Sequence, residues 1–259
     1  MPISRRHFLT ASAAASSLML TGCDALDELS DTDSKVRKVL ASANGLTYRT
    51  QRLLLGNDWL AREYSESDIR QPQKPNGTAA PEDEDYKKLA ASGFSTYRLE
   101  VGGLVEKPQR FSLENLRAMP VRTQITRHDC VEGWSCIAQW SGVQLSRVLQ
   151  QVQVKPEARY VVFRCFDTME QSMAGPVKYY GSIDMIDAHH PQTLLAFELN
   201  GKPLPVSNGA PLRLRVERQL GYKMNKYVSA IELVSSFAEI GDGNGGYWED
   251  RGYDWYAGI

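Results

Sequence analysis

Short runs of β-forming residues dominate the chain from Phe94 onward, and they constrain its fold more than any other feature. The runs are rich in Val, Leu, Phe and Tyr, and Gly, Pro or Asn separates them. They cover residues 97–101, 160–165, 193–199, 212–216 and 227–234. Helical patterns between these runs are brief. The pattern therefore predicts an α+β domain that is mainly β, with short helices.

Individual residues predict several turns and helix ends inside this region. Asn200 and Gly201 stand between two apolar runs, which is the strongest short signal for a two-residue β-hairpin. Ser112 is a candidate N-cap of a short helix that stops before Pro120. Residues 143–152 carry apolar side chains at helical spacing. One hairpin and two short helices are therefore expected here.

Composition divides the chain into four parts. They are residues 1–23, 24–93, 94–236 and 237–259. The second part is polar and irregular, apart from a helical pattern that is interrupted near Gly56, and we expect it to wrap around the third part. The fourth part is aromatic and rich in Gly, which indicates packing over the domain or, alternatively, a pocket mouth or docking surface. The net charge of −1 gives no reason to expect a nucleic-acid partner.

The first residues are typical of an export signal. Arg5 and Arg6 precede a weakly hydrophobic run, which is the pattern of the twin-arginine route, and the run is shorter than the roughly 20 residues of a membrane-spanning helix. The run ends in Leu-Thr-Gly-Cys, which resembles a bacterial lipobox with Cys23 as the lipidated residue. The alternative is a plain cleavable signal with an incidental cysteine. We expect a periplasmic protein that is anchored to the membrane only through a lipid on Cys23.

Cys130 lies in a segment dense in functional residue types, "ITRHDCVEGWSC". Without Cys23, an odd set of cysteines remains in an oxidising compartment: Cys130, Cys136 and Cys165. Cys130 could form a disulfide, bind zinc or act as a thiolate. Zinc is disfavoured because paired Cys-x-x-Cys spacings are missing, whereas neighbouring Arg127 and His128 favour a thiolate with a lowered pKa.

A basic segment downstream is a candidate anion site. Between residues 202 and 226 it contains six Lys and Arg residues and the single acid Glu217. Strand alternation places Arg213 and Arg215 on one face, and Arg binds phosphate through bidentate hydrogen bonds. A solvated sheet face is the alternative interpretation of the same pattern.

Both segments together resemble the molybdenum-pterin domain of the sulfite oxidase family. The resemblance covers about residues 94–236 and is strongest to the bacterial periplasmic branch that includes protein methionine sulfoxide reductase catalytic subunits. It implies a molybdenum-molybdopterin cofactor with Cys130 as the metal ligand. The residues that it assigns to the pterin and its phosphate are Asn208, Arg213, Met224, Asn225 and Lys226.

Other positions match the family less closely. Cys165 stands where this branch has a pterin-contacting Thr, and Asn76 is the best candidate for a pterin-binding loop residue. Tyr179 or Tyr180 corresponds to the substrate-pocket tyrosine of sulfite oxidases. No haem domain precedes the molybdenum region and too few residues follow Ile240 for a dimerisation domain, so we expect a monomer that exchanges electrons with a separate haem protein.

The expected reaction is oxygen-atom transfer. Reduction of an S-oxide or N-oxide and oxidation of sulfite would both use this cofactor. Sulfite dehydrogenation and a non-catalytic electron-transfer lipoprotein remain the alternatives at this point.

Overall fold

The structure is a computed structural model that describes residues 35–173 and 175–259, with side chains described from residue 45 onward. The predicted signal, lipobox and Cys23 lie outside the described residues. The chain divides between Thr50 and Gln51 into two units, and the candidate site lies entirely in the second. No helix among the described residues is long and apolar enough to cross a membrane.

Ten strands and five α-helices are found among the described residues. The strands are β1 Arg98–Gly103, β2 Gln109–Ser112, β3 Val121–Cys130, β4 Trp134–Gln144, β5 Tyr160–Ser172, β6 Gly175–Asp184, β7 Leu194–Leu199, β8 Lys202–Pro203, β9 Arg213–Arg215 and β10 Val228–Val234. The helices are α1 Lys35–Leu55, α2 Glu84–Ala91, α3 Leu113–Arg117, α4 Leu145–Val152 and α5 Met185–His189. Short 3-10 helices cover Glu66–Asp68, Val206–Asn208, Gly221–Lys223 and Glu249–Arg251. The mainly β, α+β architecture is confirmed.

The strands form two sheets. The first has the order β2-β1-β10-β5-β6, in which only the β1–β10 pair is parallel. The second has the order β3-β4-β7-β8, with β9 also paired to β7, and is antiparallel. A large core cluster contains side chains of both sheets, such as Phe163 and Ile231 from the first and Leu195 and Leu214 from the second. The apolar faces of both sheets are therefore buried against a common core.

Local signals in the sequence were reliable. All five predicted strand runs contain strands, although β5 continues to Ser172. The hairpin is confirmed, because Leu199 pairs with Lys202 and both Asn200 (φ 51) and Gly201 (φ 71) adopt the positive φ of a tight turn. Ser112 is the N-cap of α3, since its Oγ accepts a hydrogen bond of 3.0 Å from the backbone N–H of Asn115.

Close approach of backbones explains one glycine in β4. A Cβ on Gly142 would lie 2.2 Å from the carbonyl oxygen of Leu195 on β7. The β4–β7 register shifts at this point, between Ser141 and Gly142. Glycine therefore allows β4 to bend while it remains paired with β7.

Residues before the first strand lie along the β-rich part of the unit. The backbone N–H of Tyr64 donates to the carbonyl of Ile125, and that of Arg70 donates to Ile137 at 3.0 Å. Tyr86 on α2 is buried, and its hydroxyl donates to the carbonyl of Ala210 at 2.7 Å. These bonds bring the loop around Asn76 against the sheet that carries Cys130.

His190 is the C-cap of α5. The backbone N–H of Gln192 donates to Nδ1 of His190, so the proton of the neutral ring is on Nε2 and faces the carbonyl oxygen of Trp59 at 3.0 Å. Burial, together with the charge of Arg218, lowers the pKa of His190 to about 4. The folded protein therefore holds this ring neutral.

We predict that His190 makes the protein less stable in acid. Because its folded pKa of about 4 lies below the unfolded value of roughly 6.5, its contribution is complete above pH 6.5 and is lost as the pH falls towards 4. His190→Gln should reduce the slope of unfolding free energy in this window by up to about 1.4 kcal/mol per pH unit. Urea unfolding at several pH values measures the slope, with His189→Gln on the exposed neighbour as the control. An unchanged slope in His190→Gln would contradict the assignment.

Candidate functional site

Cys130 is the last residue of β3, where the chain turns into β4. The loop has three residues, and Gly133 takes a φ of 84 while its backbone N–H donates to the carbonyl of Cys130 at 3.0 Å. Burial alternates along β3, so that His128 and Cys130 face inward and Arg127 faces outward. The hairpin therefore presents the Cys130 thiol to the interior at the edge of the second sheet.

The predicted cause of thiolate character at Cys130 was wrong. Arg127 lies on the other face of the strand and pairs with Asp129, and burial beside Arg213 and Arg215 lowers the pKa of His128 well below its usual value, so His128 is neutral. Burial raises the pKa of Cys130, and the carboxylate of Glu132 adds to this. The backbone N–H of Glu132 and the more distant cations Lys74 and Arg213 act in the opposite direction. A bound metal cation would supply the charge that favours a thiolate here.

Cys130 opens on a cavity of about 180 Å³. Four more of the predicted site residues line it: Asn76, Tyr179, Met224 and Lys226. Residues that the sequence did not identify as functional also line it, namely Glu132, Asp167, Met169, Tyr222, Trp248 and Tyr253. The cavity thus brings together segments that are separated by more than a hundred residues in the chain.

Arg213 is a buried cation that makes contact only with neutral groups. Its Nη1 donates to the carbonyl of Asn208 at 3.1 Å, and its Nη2 donates to Oδ1 of Asn76 at 2.8 Å. Among the described residues, no carboxylate forms an ion pair with it, and its Nε has no partner. Burial, reinforced by the nearby charge of Arg215, lowers the pKa of Arg213 to about 9.

Lys226 is a second cation of this kind. Its Nζ donates to the carbonyl oxygens of Asn76 at 2.8 Å and Ser207 at 2.7 Å, and also to that of Thr78. Within the described part of the chain it has no carboxylate partner at ion-pair distance. Burial and the charge of Arg213 lower the pKa of Lys226 to about 7. The backbone dipoles hold this ammonium group, and Asp167 offsets part of its charge without forming an ion pair with it.

A side-chain amide adds a further donor next to these cations. The side-chain Nδ2 of buried Asn208 has no partner among the described residues. At the following Gly209, φ is 114 and a Cβ would lie 2.9 Å from Cγ of Lys226, so only glycine fits this approach. Buried cations and unpaired N–H groups at one place are the expected features of an anion-binding site.

Arg215 differs from Arg213 although one strand carries both. Its guanidinium forms a buried ion pair with Glu217 at 2.6 Å and donates to Nδ1 of His128 at 3.1 Å. Both arginines lie against the ring of buried Trp140. The alternative of a solvated sheet face is therefore wrong, and Arg213 and Lys226, unlike Arg215, form no ion pair among the described residues.

Five of the predicted site residues lie outside the cavity lining: Arg213 and Asn208, described above, and Cys165, Asn225 and Tyr180. Cys165 and Asn225 are buried behind it, with Sγ of Cys165 3.5 Å from the side-chain amide of Asn225. Tyr180 contacts Asp250 instead, whereas Tyr179 lines the cavity and donates to the carbonyl of Tyr222 at 2.5 Å. Of the two tyrosines, the structure therefore favours Tyr179.

The remaining cysteines are buried thiols. Cys136 and Cys165, like Cys130, form no disulfide in the described residues. Burial raises the pKa of Cys165 well above its usual value. Cys130 is the only one of these three thiols that reaches the cavity.

Asp167 is a titratable group in the cavity that was not predicted from the sequence. It is buried, and its Oδ1 has no partner among the described residues. Burial raises the pKa of Asp167 to about 6, although Lys226 and Thr78 partly offset this. No motif marked it, because a lone acid in a strand is common and its direction depends on the twist of β5.

These features define a site for an anionic cofactor whose metal is bound by a thiol. The donors fit a pterin phosphate, and the Cys130 thiol fits a metal that accepts sulfur ligands. The model of the oxidoreductase molybdopterin-binding domain family matches residues 87–239, more than half of the chain. The chain therefore belongs to this family, which is the sulfite oxidase family. It is a molybdenum-dependent oxidoreductase, and its cofactor is molybdenum-molybdopterin.

Comparison with known proteins gives similar relatives. A putative protein-methionine-sulfoxide reductase subunit of Azospira oryzae is 39% identical over 98% of this chain and 88% of its own length. A protein-methionine-sulfoxide reductase catalytic subunit of Xanthomonas axonopodis is 39% identical over 56% of this chain and 47% of its own length. The matched part thus spans about half of that second relative.

A solved structure is also similar. It is the sulfane dehydrogenase SoxCD from Paracoccus pantotrophus, which is 26% identical over 55% of this chain and 39% of that chain, with a TM-score of 0.49.

We predict that inorganic phosphate stabilises the cofactor-free protein through Arg213. An anion that binds only the folded state at ten times its dissociation constant contributes about 1.4 kcal/mol, which raises Tm by roughly 3–5 °C. Arg213→Gln should abolish this rise, because it removes the charge and keeps the side chain long. Differential scanning calorimetry with and without phosphate measures the effect.

The control is Lys202→Gln, which removes an exposed cation from the same basic segment. It should leave the phosphate-dependent rise in Tm intact. Equal loss in both variants would show that phosphate acts through general surface charge.

Proposed function

We propose that this protein catalyses oxygen-atom transfer at a molybdenum centre ligated by Cys130. One observation carries the proposal: the Cys130 thiol shares a cavity with Lys226 and Asn76. Lys226 is one of the two cations of the site, and Asn76 accepts hydrogen bonds from both of them, Lys226 and Arg213. A metal ligand and an anion site at one cavity suit a cofactor that carries both a metal and a phosphate.

The residues divide into two groups according to what they would hold. Cys130 supplies sulfur to the metal, and Arg213, Lys226 and Asn208 supply charge and N–H groups to the phosphate and pterin. Asn76 supports this arrangement by accepting from both cations, Arg213 through its side chain and Lys226 through its carbonyl. Once bound, the cofactor supplies the transfer of one oxygen atom coupled to two electrons.

Reduction of an S-oxide consumes protons, and the cavity holds groups that can supply them. In the balanced reaction, an S-oxide, two protons and two electrons give a thioether and water. Asp167 lines the same cavity as Cys130, and its pKa of about 6 allows it to hold a proton near neutral pH. Its raised pKa makes it the best candidate for the proton donor.

We favour S-oxide reduction over sulfite oxidation. The similar relatives are named protein-methionine-sulfoxide reductase subunits. Glu132 and Asp167 line the cavity, and the lining cation Lys226 is assigned to the phosphate of the cofactor. A neutral S-oxide enters such a cavity at a lower electrostatic cost than the sulfite dianion. Sulfite dehydrogenation is therefore the second candidate.

Electrons would come from a separate haem protein. The family resemblance supports this, as does the word "subunit" in the names of the relatives. The chain itself would act as a monomer in complex with that partner.

Export by the twin-arginine route and a lipid on Cys23 complete the proposal. The paired arginines Arg5 and Arg6 and the Leu-Thr-Gly-Cys sequence support it. Twin-arginine export carries folded proteins, which suits an enzyme that takes up its cofactor before crossing. The substrate would then be a periplasmic S-oxide, free or in a protein.

The Cys130→Ser variant tests the metal ligand. Since even outer-shell changes at metal sites cost about 10- to 100-fold, loss of the ligand should reduce methionine sulfoxide reduction to below about 1% of wild type. Reduced viologen serves as the electron donor, and elemental analysis reports molybdenum per chain. The matched control is Cys136→Ser, a buried thiol that does not line the cavity, and it should retain activity. Full activity in Cys130→Ser would refute the assignment.

Mass spectrometry of the mature N-terminus tests the anchor. Protein purified from membranes of a bacterial host should begin at acylated Cys23, and Cys23→Ala should move it to the soluble periplasmic fraction. Replacement of Arg5 and Arg6 by Lys should retain the precursor in the cytoplasm. A mature N-terminus without acylated Cys23 would remove the lipid anchor from the proposal.

A further inference from the structure

The C-terminal tail forms part of the cavity wall. The family model ends at residue 239, whereas Trp248 and Tyr253 follow it in the chain and line the cavity on which Cys130 opens. Tyr222 lines it as well. We call Tyr222, Trp248 and Tyr253 the aromatic wall.

The three rings contact each other in a fixed arrangement. Trp248 and Tyr253 stack with centroids 5.3 Å apart, and Tyr222 meets Tyr253 edge to face at 5.2 Å. Tyr253 is 38% exposed, so the wall extends from the cavity to the surface. A substrate in the cavity can therefore contact these rings.

The tail is attached at the segment that carries Tyr222. Lys223 and Glu249 form an ion pair whose side chains are only 1% and 2% exposed. The hydroxyl of Tyr222 donates to the carbonyl of Asp254 at 2.6 Å. Both contacts hold the rings before a substrate arrives, which lowers the entropy cost of binding.

The chemistry of the wall matches an organic sulfur compound. Aromatic rings contact thioether-type sulfur and aliphatic carbon favourably and offer little to a compact inorganic anion. The hydroxyl of Tyr222 is already engaged by Asp254, so this residue presents mainly its ring. Glu132 and Asp167 elsewhere in the lining disfavour a second anion beside the cofactor phosphate to which Lys226 is assigned.

We propose that the aromatic wall is the specificity-determining surface of the enzyme, and that it binds the alkyl chain next to the sulfur of an S-oxide. The proposal rests on the proposed S-oxide reduction and assigns its selectivity to the tail. Trp248 and Tyr253 act in substrate binding, and the reacting groups remain those around Cys130.

The experiment compares Trp248→Ala, Trp248→Phe and Tyr253→Ala with the wild-type holoenzyme. N-acetylmethionine sulfoxide is the probe, and its Kd is measured by titration calorimetry without reductant, so that no turnover occurs. Because a sulfur–aromatic contact contributes up to about 1.5 kcal/mol, each alanine variant should raise Kd and KM roughly three- to tenfold and leave kcat within about twofold. Trp248→Phe should restore most of the affinity. Dimethyl sulfoxide, which lacks the longer chain, should show a smaller change in KM.

Controls separate binding from folding and from the reaction. Trp59→Ala removes a tryptophan that is 42% exposed and does not line the cavity, and it should leave Kd unchanged. Molybdenum content and Tm should be the same in all variants. Unchanged Kd and KM in both Trp248→Ala and Tyr253→Ala would overturn the role of the wall. If wild-type enzyme binds the probe but does not reduce it, the proposed reaction fails, while the comparison of Kd values still decides the role of the wall.

Discussion

The buried cations Arg213 and Lys226, which form no ion pair among the described residues, are the constraint on which the rest of the site depends. Removing a cation from water is costly, and a nearby carboxylate normally offsets that cost. Here carbonyl and amide oxygens of Asn76, Ser207 and Asn208 hold the two cations instead. The fold keeps their charge available for an anion, and the loop around Asn76 must lie against the sheet for the arrangement to exist.

The contrast with Arg215 shows how the site is made selective. Arg215 is two residues from Arg213, yet it forms an ion pair with Glu217. It also donates a hydrogen bond to His128. His128 in turn lies on the strand that ends at Cys130. Neutralised charges thus support the structure, and the cations without an ion pair lie at the proposed cofactor site.

Much of the fold and part of the site followed from local patterns. Apolar runs, the Asn200–Gly201 turn and the Ser112 cap depend on nearest neighbours, so the sequence predicted them. The β3–β4 hairpin was not predicted, because its polar and aromatic residues resemble a loop until the partner strand is known. The sequence also does not show which side of a strand faces the site. Arg127 was therefore given the wrong role, and the choice between Tyr179 and Tyr180 stayed open. Asp167 and the aromatic wall depend on contacts between distant segments, which no local pattern encodes.

X-ray absorption at the molybdenum edge tests directly whether Cys130 ligates molybdenum. The measurement counts the sulfur neighbours of the metal in wild-type protein, in Cys130→Ser and in Cys136→Ser, each corrected for its metal content. If Cys130 is the ligand, molybdenum should have one sulfur neighbour fewer in Cys130→Ser and an unchanged number in Cys136→Ser. An equal sulfur count in wild type and Cys130→Ser would contradict it.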